Sequence, residues 1–197
     1  GNDTLTGGDG TDSLNGGAGN DTYRFNTGDV DSGESITEAS SGGTDTVSII
    51  TSTDFANMSN ASFDEIDVIN FGGASQTATF TGAQLTSETI SLTETAAGTS
   101  NLVINVGAGT TATLTNVTAA SSFTSGADTV TINGSTGNET IQGPNIASTI
   151  TGGAGTDTLT GGTQADIITS GDGNDTLTGG DGTDSLNGGA GNDTYRF

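Results

Sequence analysis

Cysteine, histidine, lysine and tryptophan are absent from these 197 residues. The lack of Cys removes disulfides, thiol nucleophiles and thiolate metal ligands, and the lack of His removes the usual zinc sets and any Ser-His-Asp relay. A Ser-Lys dyad fails equally for want of Lys. Positive charge is confined to Arg24 and Arg196, against 24 acidic residues and a net charge of −22. Such a chain has almost nothing with which to neutralise phosphates, so nucleic acid and anionic lipid are excluded as partners. No apolar run approaches the roughly 18 residues that a membrane-spanning helix needs. Apolar residues make up only 29%, and low hydrophobicity with high net charge ordinarily means disorder. An ordered fold therefore needs another source of stability, and hard cations held by carboxylate and carbonyl oxygens are the metal chemistry left open.

What the sequence does have is repetition. Residues 1–25 (GNDTLTGGDGTDSLNGGAGNDTYRF) recur unchanged as residues 173–197, an offset of 172 residues. The sequence thus reads as slightly more than one unit of a larger tandem array. A nine-residue period runs inside the unit: GSTGNETIQ, GPNIASTIT, GGAGTDTLT, GGTQADIIT, SGDGNDTLT, GGDGTDSLN and GGAGNDTYR follow one another from Gly134. The eighth place is aliphatic or aromatic throughout (Ile141, Ile150, Leu159, Ile168, Leu177, Leu186, Tyr195). The sixth is Asp157, Asp166, Asp175, Asp184 and Asp193, after Glu139 and Ser148. The N-terminal copy supplies Asp3, Asp12 and Asp21 with Leu5, Leu14 and Tyr23.

These segments resemble the RTX nonapeptide, G-G-x-G-x-D-x-U-x, of proteins exported by type I secretion. The resemblance implies an all-β parallel β-roll, two nonapeptides per turn, with calcium ions in both rows of loops. The spacing supports it physically. Six glycine-rich residues bend tightly, and each x-U-x triplet is a minimal strand with one inward side chain. Stacking every second segment about 4.8 Å apart puts Asp157, Asp175 and Asp193 in one column and Asp166 and Asp184 in another. Carboxylates that close repel by roughly 3 kcal/mol per pair at an effective dielectric near 20, whereas one buried Leu or Ile contributes only about 1.5–3 kcal/mol. A divalent cation between loops reverses the sign of that interaction, so that binding free energy becomes folding free energy. The calcium-free arrays are then expected to be disordered.

The family geometry, carried onto this sequence, implies one ion among Gly153, Gly155, Asp157, Ser170, Asp172 and Asp175, and another among Gly171, Gly173, Asp175, Gly188, Ala190 and Asp193. The opposite row implies Gly162, Gln164, Asp166, Gly179, Asp181 and Asp184, where Gln164 departs from the usual glycine. In the N-terminal copy Gly1, Asp3, Gly16, Ala18 and Asp21 repeat the pattern, and Gly8 and Gly10 do so around Asp12. After Tyr23 the sequence leaves the nonapeptide frame as such arrays do, with Glu34 and Asp45 placed to complete sites begun by Asp12 and Asp21. At the other array's start, Glu139 and Ser148 replace Asp, and Pro144 stiffens the loop between them.

The expected organisation is a β-roll over 1–25, an array exit over 26–48, a β-rich segment over 49–133 and a second β-roll over 134–197. The middle carries short runs at 47–50, 66–71, 77–80, 89–92, 101–106, 111–117 and 128–133, bounded by turn residues. These suit either a sandwich or a continued solenoid. The open end of a β-roll is a strand template and favours the latter. Residues 54–65 read as a short helix or a loop, and Asp64, Glu65 and Asp67 as a solvated charged turn, with a further calcium site as the competing reading. Thr at the seventh and ninth places gives an outward ladder, interrupted by Ser185, Asn187 and Arg196, that suits strands for its own sake.

The function expected is therefore structural rather than catalytic: a calcium-stiffened repeat of a secreted, cell-surface adhesin, surface-layer protein or extracellular filament. Its partners would be calcium, tandem copies of itself, neighbouring chains in a fibre and surface glycans. The competing readings are the secretion and folding tail of an exported hydrolase, distinguished by copy number, and an ice- or glycan-binding module.

Overall fold

The x-U-x triplets form strands that pair only with the triplet one full turn away, and every pairing is parallel. The computed structural model describes residues 1–39, 42–123 and 127–197. It is an all-β parallel solenoid of about 9 turns with 4% helix. One sheet stacks Thr4–Leu5, Thr22–Phe25, Thr46–Ile49, Val68–Phe71, Ile90–Glu94 and Val117–Ala119 in sequence order. A second runs from Thr53–Asp54 through Thr77–Thr81, Asn101–Asn105, Thr129–Asn133, Thr149–Ala154 and Ile167–Asp172 to Ser185–Asn187. A third stacks Thr111–Thr113, Thr140–Gln142, Thr158–Thr160, Thr176–Thr178 and Thr194–Arg196, and Ser13–Gly17 pairs with Ser35–Glu38.

The second sheet crosses from the middle segment into the C-terminal array without a break: Ile104 aligns with Ile132, Ile132 with Ile150, and Ile150 with Ile168. The middle is thus a continuation of the coil, and an antiparallel sandwich is ruled out. What changes is the size of the turn. Successive loops lie 18 residues apart within the arrays, and 22 to 30 residues apart across the middle. Longer turns enclose a wider interior, and the chain fills it with large side chains. Phe25, Phe55, Phe63, Phe71 and Phe80 are fully buried. The Phe55 and Phe80 rings stack at 4.7 Å, and Phe63 meets Phe80 edge-on at 5.3 Å. In the arrays each turn buries only one aliphatic side chain per face, such as Leu159, Ile168 and Leu177.

Sequence expectations in the middle need two corrections. The run at 111–117 is not one strand, because a turn in which the Val117 N–H donates to the Leu114 carbonyl splits it between two sheets. Residues 54–65, expected as a short helix or a loop, contain a 3-10 turn at Asn60–Ser62, after a short strand, Thr53–Asp54. A helical turn at Gly82–Leu85 has no counterpart among the expected elements. Thr81 and Gln84 cap it reciprocally, and buried Gln84 also donates to the carbonyls of Phe55 and Met58 at 2.8 and 2.9 Å.

Candidate metal centres

The acidic residues of the repeat stand one above the next. In the C-terminal array the N–H of Glu139 donates to Oδ1 of Asp157, Asp157 to Asp175 and Asp175 to Asp193, at 2.8, 2.8 and 3.1 Å. On the opposite row Ser148 donates to Asp166 and Asp166 to Asp184. In the N-terminal array Asp3 donates to Asp21 and Asp21 to Asp45, while Asp12 donates to Glu34. The two columns expected for Asp157, Asp175 and Asp193 and for Asp166 and Asp184 are both present. Glu34 and Asp45 lie directly over Asp12 and Asp21.

One carboxylate oxygen of each pair is thereby used to fix the column. In five of these residues another oxygen is left over. Asp12 Oδ2, Asp21 Oδ2, Glu34 Oε1, Asp157 Oδ2 and Asp175 Oδ2 are buried with no hydrogen-bond partner. A buried carboxylate oxygen without a donor costs several kcal/mol unless a cation neutralises it. Both arginine side chains are exposed and supply none. Burial pushes the carboxyls of Glu34, Asp45 and Asp157 above their ordinary range, and the neighbouring carboxylates push the same way, against the backbone hydrogen bonds each accepts. Residues arranged in this way fit divalent cations, and calcium in particular, because only oxygen donors are present.

The loops around these carboxylates carry the carbonyls expected as further ligands. Gly153, Gly155, Gly171 and Gly173 all have positive φ. At Gly171 a Cβ would sit 1.9 Å from the carbonyl oxygen of Gly153 one turn earlier, so the loops nest as closely as bare backbone permits. The carbonyls of Asp172 and Ala190 accept from Gly155 and Gly173 at 2.8 Å, and that of Gly171 accepts from Ala190. The Ser170 hydroxyl donates to the Gly188 carbonyl, and Gly162 accepts from Asp181. Each carbonyl keeps a second lone pair.

The sites are not equivalent. Asp166 Oδ2 already accepts from Gly162 N at 2.7 Å, Gln164 and Asp181 are exposed and Gly179 is buried, so this row lacks the orphan oxygens of the other. Gly8 and Gly10 have open space around them, Gly16 donates to the Tyr23 hydroxyl at 2.8 Å, and the Ala18 carbonyl accepts from the Gly1 amine.

One acidic residue departs from its sequence expectation, and another carries no sequence expectation at all. Asp67 is not part of a solvated turn: its Oδ2 accepts from Asp45 N at 2.8 Å, one more step of the column. Glu38 joins Asp21 and Asp45, with ligand oxygens of all three within 4.8 Å of one another. The signal for Glu38 was its place as the first loop residue, glycine in the repeat. Asp64 and Glu65 do stay exposed.

The model of the RTX calcium-binding nonapeptide repeat matches residues 1–29, 133–168 and 160–195, in four copies. Over these segments the chain belongs to the RTX repeat family, a class of structural calcium-binding β-rolls. Proteins carrying such repeats are typically exported by type I secretion. No curated protein and no solved structure matched the chain.

Proposed function

We propose that this chain is a calcium-stiffened structural repeat of an extracellular surface protein, an adhesin, surface layer or filament, that folds fully on meeting calcium outside the cell. The observation that carries the calcium part is the set of buried, unpartnered carboxylate oxygens on stacked turns, above all the Asp157 and Asp175 pair. Between Asp157 and Asp175 the bound ion would be held with Gly153, Gly155, Ser170 and Asp172. Between Asp175 and Asp193 it would lie with Gly171, Gly173, Gly188 and Ala190. It would supply positive charge and fixed coordination, and the chain supplies the oxygens and the nested loops.

The fibre part is supported by the identity of residues 1–25 and 173–197. Both copies place Tyr on Leu one turn apart, Leu5 with Tyr23 and Leu177 with Tyr195. A tandem array with this period extends one coil in one direction, by roughly 40 Å per unit at about 4.8 Å per turn. The experiment is small-angle scattering of one-, two- and three-unit chains with calcium and with EGTA. Constant growth in maximum dimension per unit with calcium supports the fibre, and collapse to a branched or globular shape rejects it. Calcium-independent profiles would reject the metal-driven reading. A single array beside a foreign catalytic domain in the full protein would favour the secretion-tail alternative.

A further inference from the structure

The exit of the N-terminal array holds a cluster that the nonapeptide pattern does not provide. In the repeat each loop opens with a small residue, as at Gly16, whose backbone alone faces the site. One turn later the opening position is Glu38, at the end of Ser35–Glu38, which pairs with Ser13–Gly17 through a register shift. The exit loop from Glu38 to Asp45 is longer than its nonapeptide counterpart from Gly16 to Asp21. A side-chain carboxylate thus stands where the repeat offers only backbone.

We propose that Glu38 joins Asp21 and Asp45, turning the site begun by Asp21 into a three-carboxylate site for a divalent cation that locks the exit strands onto the last turn of the array. Four observations converge on it. Ligand oxygens of all three residues lie within 4.8 Å of one another. Asp21 is 1% exposed and its Oδ2 has no partner. A Cβ built on Gly16 would lie 2.5 Å from that oxygen, 2.6 Å from Glu38 Oε1 and 2.4 Å from the Tyr23 hydroxyl, so three oxygens point into the space that the missing side chain leaves. Glu38 is held for the role: its Oε1 accepts from the Tyr23 hydroxyl, its Oε2 accepts from Gly17 N at 3.1 Å, and Gly16 N donates to the same phenol.

The site carries one more formal negative charge than a cage built on two aspartates. Charge count is a main determinant of calcium affinity, so the exit is the tightest site of the N-terminal array and fills first. The ion joins Asp21 before one strand of the first sheet to Asp45 before the next and to Glu38 from the Ser13–Gly17 and Ser35–Glu38 pair. Both faces of the coil are thus fastened at one point.

The inference rests on the calcium reading above, and its test separates the two. Tyr23 and Tyr195 are the only tyrosines, and Trp is absent. In a Tyr195→Phe chain, Tyr23 is the sole sensitiser for terbium, a calcium surrogate whose emission reports an ion within a few ångströms of a phenol. Titration of that chain is expected to give sensitised emission at the lowest ion concentrations. Glu38→Gln preserves an oxygen for the Tyr23 hydroxyl and is expected to weaken this binding by about tenfold or more. Asp64→Asn, at an exposed carboxylate outside the arrays, is expected to leave it unchanged. Emission insensitive to Glu38→Gln, or lowered equally by Asp64→Asn, overturns the exit site. A calorimetric titration of the same chain showing no calcium uptake would instead overturn the wider calcium reading.

Discussion

Asp175 shows what one residue does in this fold. Its Oδ1 accepts from Asp157 N, its own N–H donates to Asp193, and its Oδ2 is buried without a partner. The first two contacts need only an acceptor oxygen and a backbone. The third needs a cation. Asp175→Asn keeps the acceptor and removes the charge, so the two states of the protein should respond oppositely. With calcium, the loss of a charged ligand shared by two cages is expected to lower thermal stability by a few kcal/mol. With EGTA, relief of repulsion between stacked carboxylates is expected to leave stability unchanged or slightly raised. Melting curves under both conditions check this, and an equal loss in both would show the residue to be a packing element only.

At the scale of the element, the two kinds of turn are held by different forces. An 18-residue turn nests glycine on carbonyl and buries one aliphatic side chain per face. A wide turn buries phenylalanine. Gly171 and Phe80 probe the two. At Gly171, with φ of 107° and a Cβ position 1.9 Å from the Gly153 carbonyl, alanine must push the loops apart. Gly171→Ala is expected to reduce calcium affinity and unfold the C-terminal array while the middle stays folded. Phe80→Ala opens a cavity beside Phe55 and Phe63 and is expected to cost about 3–5 kcal/mol, seen as a lower melting temperature with or without calcium. Far-UV and near-ultraviolet circular dichroism, the latter sensitive to the aromatic core, separate these outcomes.

The whole molecule is then one coil with two stability regimes. A segment with a continuous hydrophobic core is flanked by arrays whose order, on the proposed calcium reading, would depend on ions. The expectation that calcium removal brings disorder concerns the arrays, and the wide-turn segment, with its own aromatic core, lies outside it. Hydrogen exchange is expected to show residues 1–25 and 134–197 exchanging rapidly in EGTA and slowly in calcium. Strands such as Val68–Phe71 and Asn101–Asn105 are expected to stay protected in both. Loss of protection throughout the chain in EGTA would mean that the aromatic core cannot hold the middle turns alone. A retained middle has a consequence for assembly: it is a ready template on which array strands can pair as calcium arrives, with parallel register already set by Ile104, Ile132 and Ile150.

The sequence alone determined the nonapeptide arrays, because there the period of structure equals the period of residues. Each Asp and each inward aliphatic sits at a fixed interval, so stacking every second segment reproduces the columns observed. It also determined the chemistry, since removing Cys, His and Lys leaves only oxygen ligands. Tertiary structure decided what the period could not reach. Turn length in the middle varies from 22 to 30 residues, so no interval marks which run stacks on which, and a run such as 111–117 can be divided between sheets. Asp67 and Glu38 lie outside the nonapeptide frame and acquire their places only when the chain returns past Asp45 and Asp21. The aromatic core likewise joins phenylalanines from separate turns, a proximity created by coiling rather than by spacing.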